Sequence, residues 1–448
     1  MIRATWSILF FCLCAVAWPQ STPITLTGTI LTPDGPVPNG MVLVQDGKIV
    51  AAGTNLSLPK GVKTIATNGI LVPGFVDLHN HLTWNVFSRW KPIQEFGSRY
   101  DWQQKPVYKV LMDAPHHALV EEGHECEMER YAEIKAVSEG ETSVVGGTAQ
   151  DCGPRLARNL DINHSAQDHR IIYNVFPFQM TEAELESAKN ALDHNGALLI
   201  HVAEGAPNDA SAAREFAMLK GRGLLRPGVS IIHGVALKPA DFTEMASAGV
   251  GFIWSPRSNI ELYGGTADVR AAKAAGVKIA LAPDWSPTGS DGSLAELNYA
   301  ATWNASQEHP TFTDRELVEM ATSGAAQLAG MSQQLGRIAP GYLADLLVLQ
   351  PHGLAAHQDP YWMVVHSDAR EVALVMIDGK AVYGDSSLTA QFPQPSAMDR
   401  VTVCEQAKSI VPQEVNGTPV HFASIETTVE KALSEWGRKL APLAECGQ

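Results

Sequence analysis

Short apolar segments alternate with helical stretches between residues 74 and 335, and on both sides lie alternating strands around Asp-Gly turns. That pattern predicts an α/β fold: a (β/α)8 barrel of the TIM type, plus a small β-sandwich domain built by both ends of the chain. The candidate barrel strands are residues 75–78, 142–145, 171–176, 197–201, 229–233, 250–254 and 277–282. Closure needs an eighth, expected within 155–160. Between them, residues 130–140, 182–195, 210–221, 239–248, 267–275 and 314–329 read as helices.

The flanking segments share one grammar. Residues 24–73 carry Asp34-Gly35 and Asp46-Gly47 between alternating apolar residues, a hairpin signature, and 336–385 repeat it around Asp378-Gly379. Neither half can bury a core alone, so the economical arrangement is one domain from residues 24–73 with 336–385, and the barrel, 74–335, inserted. Residues 386–448 form a C-terminal extension, linker-like through Gln391-Phe392-Pro393-Gln394-Pro395-Ser396 and helical over 424–440.

The 448 residues hold 33 basic and 48 acidic side chains, a net charge of −15, which argues against a nucleic-acid partner. Residues 1–17 read as a signal peptide: Arg3, an apolar run from Trp6, and Ala15-Val16-Ala17 as a small-x-small cleavage site. The run is shorter than the roughly 20 residues that span a bilayer. The expected location is therefore exported, periplasmic or secreted, with no stable membrane anchor after cleavage. Cys126, Cys152, Cys404 and Cys446 then remain. Four cysteines allow three pairings, among them Cys126 with Cys152 and Cys404 with Cys446, or four free thiols.

The chemistry sits where apolar strands end. His79 and His81 are two apart, so on a strand they project together. His201, His233 and Asp284 each close a later apolar run. In a barrel those carboxyl ends form one face, where all five residues would converge on a divalent metal. His116, His117 and His124 read as structural or surface residues. Asp151, Ser286 and Ser290 lack the context of a serine nucleophile.

The motifs Pro73-Gly74-Phe-Val-Asp77-Leu-His79-Asn-His81, His201-Val-Ala-Glu204, His233-Gly234, Ser255-Pro-Arg-Ser-Asn259 and Ala282-Pro-Asp284 resemble the amidohydrolase superfamily. The pattern is similar to the branch holding cytosine-type deaminases, triazine chlorohydrolases and imidazolonepropionase. The resemblance implies His79, His81, His201 and Asp284 as ligands of one divalent ion, zinc first, with iron or manganese as alternatives. It makes Asp284, Glu204 and His233 catalytic: Asp284 as proton acceptor, Glu204 as shuttle to a leaving nitrogen, His233 as the group polarising the substrate. No Lys or Glu ends strands two or four, so one metal is expected rather than two. Ala282-Pro283-Asp284-Trp285 departs from the Gly-Thr-Asp-Gly of many deaminases, so no particular deaminase specificity carries over. Trp84, Arg89, Tyr173, Arg257 and Asn259 are the expected substrate contacts.

The implied activity is hydrolysis of a non-peptide C–N bond in a cyclic amide or an amino-substituted heterocycle. Hydrolysis of linear N-acyl or dipeptide-like amides is the alternative, and a non-catalytic binding protein on the same fold a second. The partner is a small molecule, and a homo-oligomer is compatible.

Overall fold

The computed structural model describes residues 22–148, 152–162, 170–350, 359–393 and 397–446. The expected signal peptide, Asp151 and residues 394–396 lie outside the described residues. Eight parallel strands make the barrel: Phe75–Val76, Glu141–Val144, Arg158–Asn159, Ile171–Asn174, Ala197–Val202, Val229–His233, Gly251–Trp254 and Ile279–Leu281. The strand sought within 155–160 is Arg158–Asn159. First and last strands meet at a parallel bridge between Asn80 and Asp284, where Asp284 N donates to His79 O at 2.9 Å. Leu78, Val145, Leu199, Ile232, Ile253 and Ala280 fill the interior of the barrel from facing strands.

Two elements are shorter than expected. The first strand ends at Val76. Asp77 then turns the chain, its buried carboxylate accepting His79 N at 2.9 Å and Asn80 Nδ2 at 2.6 Å. An Asx turn, rather than a regular strand, thus presents His79 and His81. The helix expected over 314–329 breaks at Thr322 (φ −125°, ψ −95°) into Asp314–Ala321 and Ser323–Leu328. There the Thr322 hydroxyl donates to Val318 O at 2.8 Å, a side-chain bond that competes with the helix.

The β-domain is built by both ends of the chain, as expected, and its nine strands are hydrogen-bonded in one continuous order. Its order is Asp399–Val403, Gln406–Ile410, Lys380–Asp385, Val372–Ile377, Leu346–Leu349, Lys63–Pro73, Ile24–Thr32, Gly35–Gln45 and Lys48–Gly53. The two ends of the chain join where Leu346–Leu349 pairs antiparallel with Lys63–Pro73. Register shifts, as between Gly28 and Ile30, let the sheet bend around a single core containing Leu26, Ile65, Val348 and Leu374.

The C-terminal extension is not a linker with an isolated helix. It contributes the two strands Asp399–Val403 and Gln406–Ile410. Lys408 is buried there, its ammonium donating to Asp385 Oδ1 and Val372 O at 2.8 Å each. Helix Phe422–Glu435 then packs on helix Glu125–Ser138, with the Tyr131 and Phe422 rings stacked 6.4 Å apart. The cysteines form two disulfides, Cys126–Cys152 and Cys404–Cys446. No helix among the described residues is long and apolar enough to cross a membrane.

Candidate metal centre

His79, His81, His201, His233 and Asp284 meet at the carboxyl ends of the barrel strands. His79 Nε2 lies 3.1 Å and His81 Nε2 3.2 Å from Asp284 Oδ1. Tyr173 Oη is 3.2 Å from both His81 Nε2 and His201 Nε2. Tetrahedral zinc with bonds of about 2.0–2.1 Å separates its donor atoms by roughly 3.3 Å. The His79–Asp284 and His81–Asp284 spacings therefore fit one ion. Among the described residues two clusters are close enough to hold a cation, His79/His81/Asp284 and His79/His201/His233, and they share His79. His233 Nε2 stands 4.0 Å from Asp284 Oδ2, wider than that spacing.

The electrostatics suit a cation. His79 is fully buried, and its Nε2, although 3.1 Å from the Asp284 carboxylate, makes no well-aligned hydrogen bond there, an expensive state for a polar atom unless something else satisfies it. Burial lowers His79 to about 4 and pushes His201 well below its ordinary value. Both are thus neutral imidazoles near pH 7, the form that ligates metal. Burial alone would raise the Asp284 carboxyl, but His79 and His81 beside it hold it well below the usual range.

The backbone is strained where two of these residues leave their strands, with φ +69° at His233 and +72° at Asp284. Both turn out of the ladder toward the barrel mouth.

One helix, Pro256–Tyr263, with its capping Ser255 holds His79, Asp284, His233 and Glu204. Ser255 Oγ is 2.7 Å from His79 Nδ1, and Ser258 Oγ donates to Asp284 Oδ2. Asn259 Oδ1 is 2.8 Å from His233 Nδ1, and Tyr263 Oη donates to Glu204 Oε1 at 2.6 Å. Glu204 Oε2 also sits 3.1 Å from His201 Nδ1, 3.6 Å from His233 Nε2 and 3.5 Å from Arg99 Nη1. Burial raises the Glu204 carboxyl, yet His233, His201 and Arg99 more than offset it and keep Glu204 ionised. Arg99, Ser258 and Tyr263 were not singled out from the sequence. Ser258 lies within the quoted motif Ser255-Pro-Arg-Ser-Asn259 and Arg99 in the aromatic segment after the first strand, but their partners come from distant strands, so no role could be read for them.

A cavity of about 160 Å³ opens on the centre, with His81, His201, His233, Glu204 and Asp284 on its floor. Its walls are aromatic: Trp84, Trp102, Tyr108, Phe176 and Trp285. Of the expected substrate contacts, Trp84 lines this cavity, backed by His116, which stacks on it at 3.7 Å. Tyr173 stands among the donor atoms, and Asn259 lies behind His233. Arg89 and Arg257 correct the expectation, because neither lines the cavity. Their guanidiniums turn to the C-terminal tail, 2.7 and 2.8 Å from the Glu445 carboxylate, which satisfies both charges without a substrate.

A model of the amidohydrolase family matches residues 162–382. The chain is 27% identical to a 5-methylthioadenosine/S-adenosylhomocysteine deaminase of Desulforudis audaxviator, over 82% of this chain and 93% of that protein. It is 26% identical to the enzyme of that name from Haloarcula marismortui, over 86% and 97%. Among solved structures, an adenosine deaminase from Xanthomonas campestris with bound zinc superposes with a TM-score of 0.68. That pair shares 16% identity over 92% of this chain and 98% of that one. An atrazine chlorohydrolase from Arthrobacter aurescens in complex with zinc gives 0.66, at 20% identity over 80% and 95%. Fold, centre and these matches together define a metal-dependent hydrolase acting on carbon–nitrogen bonds other than peptide bonds. The chain is similar to the amidohydrolase superfamily in fold, in its metal centre and over residues 162–382.

Proposed function

We propose that the chain is a deaminase of a small, uncharged amino-substituted heterocycle, using one divalent ion, zinc, held by His79, His81, His201 and Asp284. The observation that carries this reading is the cavity itself. Glu204, His233 and Asp284 share its floor, its walls are flat aromatic rings, and among the described residues no lysine or arginine lines it. Stacking walls favour a planar ring. The absence of a lining cation disfavours a substrate with an acidic tail, such as S-adenosylhomocysteine.

When bound, the ion supplies a nucleophile from water at neutral pH. Asp284 is placed to take one proton from the attacking water, and Glu204, kept ionised by His233, His201 and Arg99, to take up its second proton and hand it to the leaving nitrogen, which departs as ammonia. His233, fixed through Nδ1 by Asn259, presents Nε2 to charge developing on the ring. Water and the amine thus become a ring carbonyl and ammonia. The relatives named for deamination support the reaction class. The leader-like residues 1–17 and the two disulfides support a destination outside the cytosol.

The test is ammonia release by the zinc-loaded full chain from aminopurines, their nucleosides and aminotriazines, with Glu204→Gln as control. Release from an uncharged member, lost in the variant, is expected. Ring opening of cyclic amides without ammonia release would instead favour a cyclic amidase. Release only from substrates with acidic tails would overturn the reading of the walls.

A further inference from the structure

The helix that orients the centre is itself anchored from the last residues of the chain. Arg257, in that helix, donates from its backbone N to Glu296 Oε1 at 3.1 Å, and from Nη2 to Glu445 Oε2 at 2.8 Å. The other oxygen of the same carboxylate, Glu445 Oε1, takes Arg89 Nε at 2.7 Å. Arg89 lies in the same segment as Trp84, which lines the cavity. Its Nη2 donates to Gly289 O at 2.6 Å, in the loop that follows Asp284. One carboxylate therefore bridges the orienting helix, the aromatic wall and the loop beyond the metal-binding aspartate.

Its own position is fixed on both sides. Cys446, the next residue, is bonded to Cys404 of the β-domain. Upstream, Ala441 N donates to Val86 O at 2.9 Å, and Ala441 O accepts Tyr131 Oη at 2.6 Å. Lys135 Nζ reaches Pro442 O at 2.9 Å and Asp291 Oδ1 at 2.8 Å.

We propose that Glu445 is a positioning residue for the metal centre, acting through Arg257 and Arg89, and that the Cys404–Cys446 disulfide is the latch that holds it in place. The proposal rests on the metal-site reading above but not on the deaminase reading. Without the carboxylate, the buried Arg257 and the half-buried Arg89 lose their shared partner. The helix bearing Ser255, Ser258, Asn259 and Tyr263 is then free to shift, and its hydrogen bonds to His79, Asp284, His233 and Glu204 loosen together. Partners of this outer kind are worth 10–100-fold in metal affinity or activity. Glu445 lies two steps beyond them, through Arg257 and the helix it belongs to, so the low end of that range, about tenfold, is expected.

The experiment is zinc affinity by chelator competition on the full chain. It compares wild type, Glu445→Gln, Glu445→Asp and the Cys404→Ser/Cys446→Ser pair, with thermal melting alongside. Serine avoids leaving thiols that would bind the probe. Expected is an approximately tenfold weaker zinc affinity in Glu445→Gln, with partial recovery in Glu445→Asp. The serine pair should weaken zinc in the same direction. Any substrate found should show kcat falling with zinc affinity while melting stays within a few degrees of wild type. A Glu445→Gln variant that binds zinc as wild type does, or loses zinc only in proportion to loss of folded protein, would overturn the proposal. Wild type that binds no zinc would overturn the metal reading beneath it.

Discussion

His233 is the residue whose role the geometry divides most sharply, since it belongs to one of the two donor clusters and is excluded by the spacing of the other. A tetrahedral ion needs donors roughly 3.3 Å apart. His79 and His81 meet that against Asp284 at 3.1 and 3.2 Å, whereas His233 stands at 4.0 Å and faces Glu204 at 3.6 Å. The perturbation is His233→Gln. If His233 faces substrate, the variant keeps about one zinc per chain, with affinity within about threefold of wild type. Turnover should then fall by about 10²–10³, the usual cost of removing one preorganised group from developing charge, or roughly 3–4 kcal/mol. Stability should drop by only about 1 kcal/mol, for the lost bond to Asn259. Chelator competition and thermal melting measure the first and last of these without any substrate, and ammonia release measures the second. His81→Ala is the contrast: it should lose zinc outright. Loss of zinc in His233→Gln comparable to that in His81→Ala would refute the reasoning and make His79, His201 and His233 the ligand set.

Two further outcomes follow from burial and backbone. Glu139 is fully buried, and burial, with Asp291 nearby, raises it from 4.5 to about 8. Between those values the folded state holds a proton that the unfolded chain has released, so this group's contribution to stability falls as pH rises through that window. Glu139→Gln stays neutral and can still accept Ala295 N, so it should match wild type at pH 4.5 and exceed it at pH 8.5 by about 1–4 kcal/mol. Urea melts at the two pH values check this, and an equal difference at both would refute it. The second outcome concerns Gly146, which has φ +88°, and a Cβ there would lie 1.9 Å from Asn80 O. Gly146→Ala should therefore cost about 2–4 kcal/mol and lower zinc content by displacing His81, read by melting and elemental analysis.

The fold and the donors were legible because each leaves a local signal. An apolar run that ends in His or Asp is visible in a few residues, and five such endings require one barrel mouth to receive them. The third strand, two residues long, was legible only from the count that closure demands. The strand order of the β-domain was not legible, since its two halves join through pairs such as Leu346 with Pro73, 273 residues apart. The arginines show the limit most clearly. Arg89 and Arg257 stand in the right stretches to meet a substrate, and in sequence nothing separates a guanidinium awaiting a ligand from one already paired. Their partner is Glu445, 356 and 188 residues away, in a tail whose local pattern suggests no chemistry. A charged residue near a site can be assigned to substrate only after the ends of the chain have been placed. Here the tail takes both cations. What remains for a substrate is an uncharged aromatic wall, and the chemistry of the centre is left to groups that the sequence had already placed at strand ends.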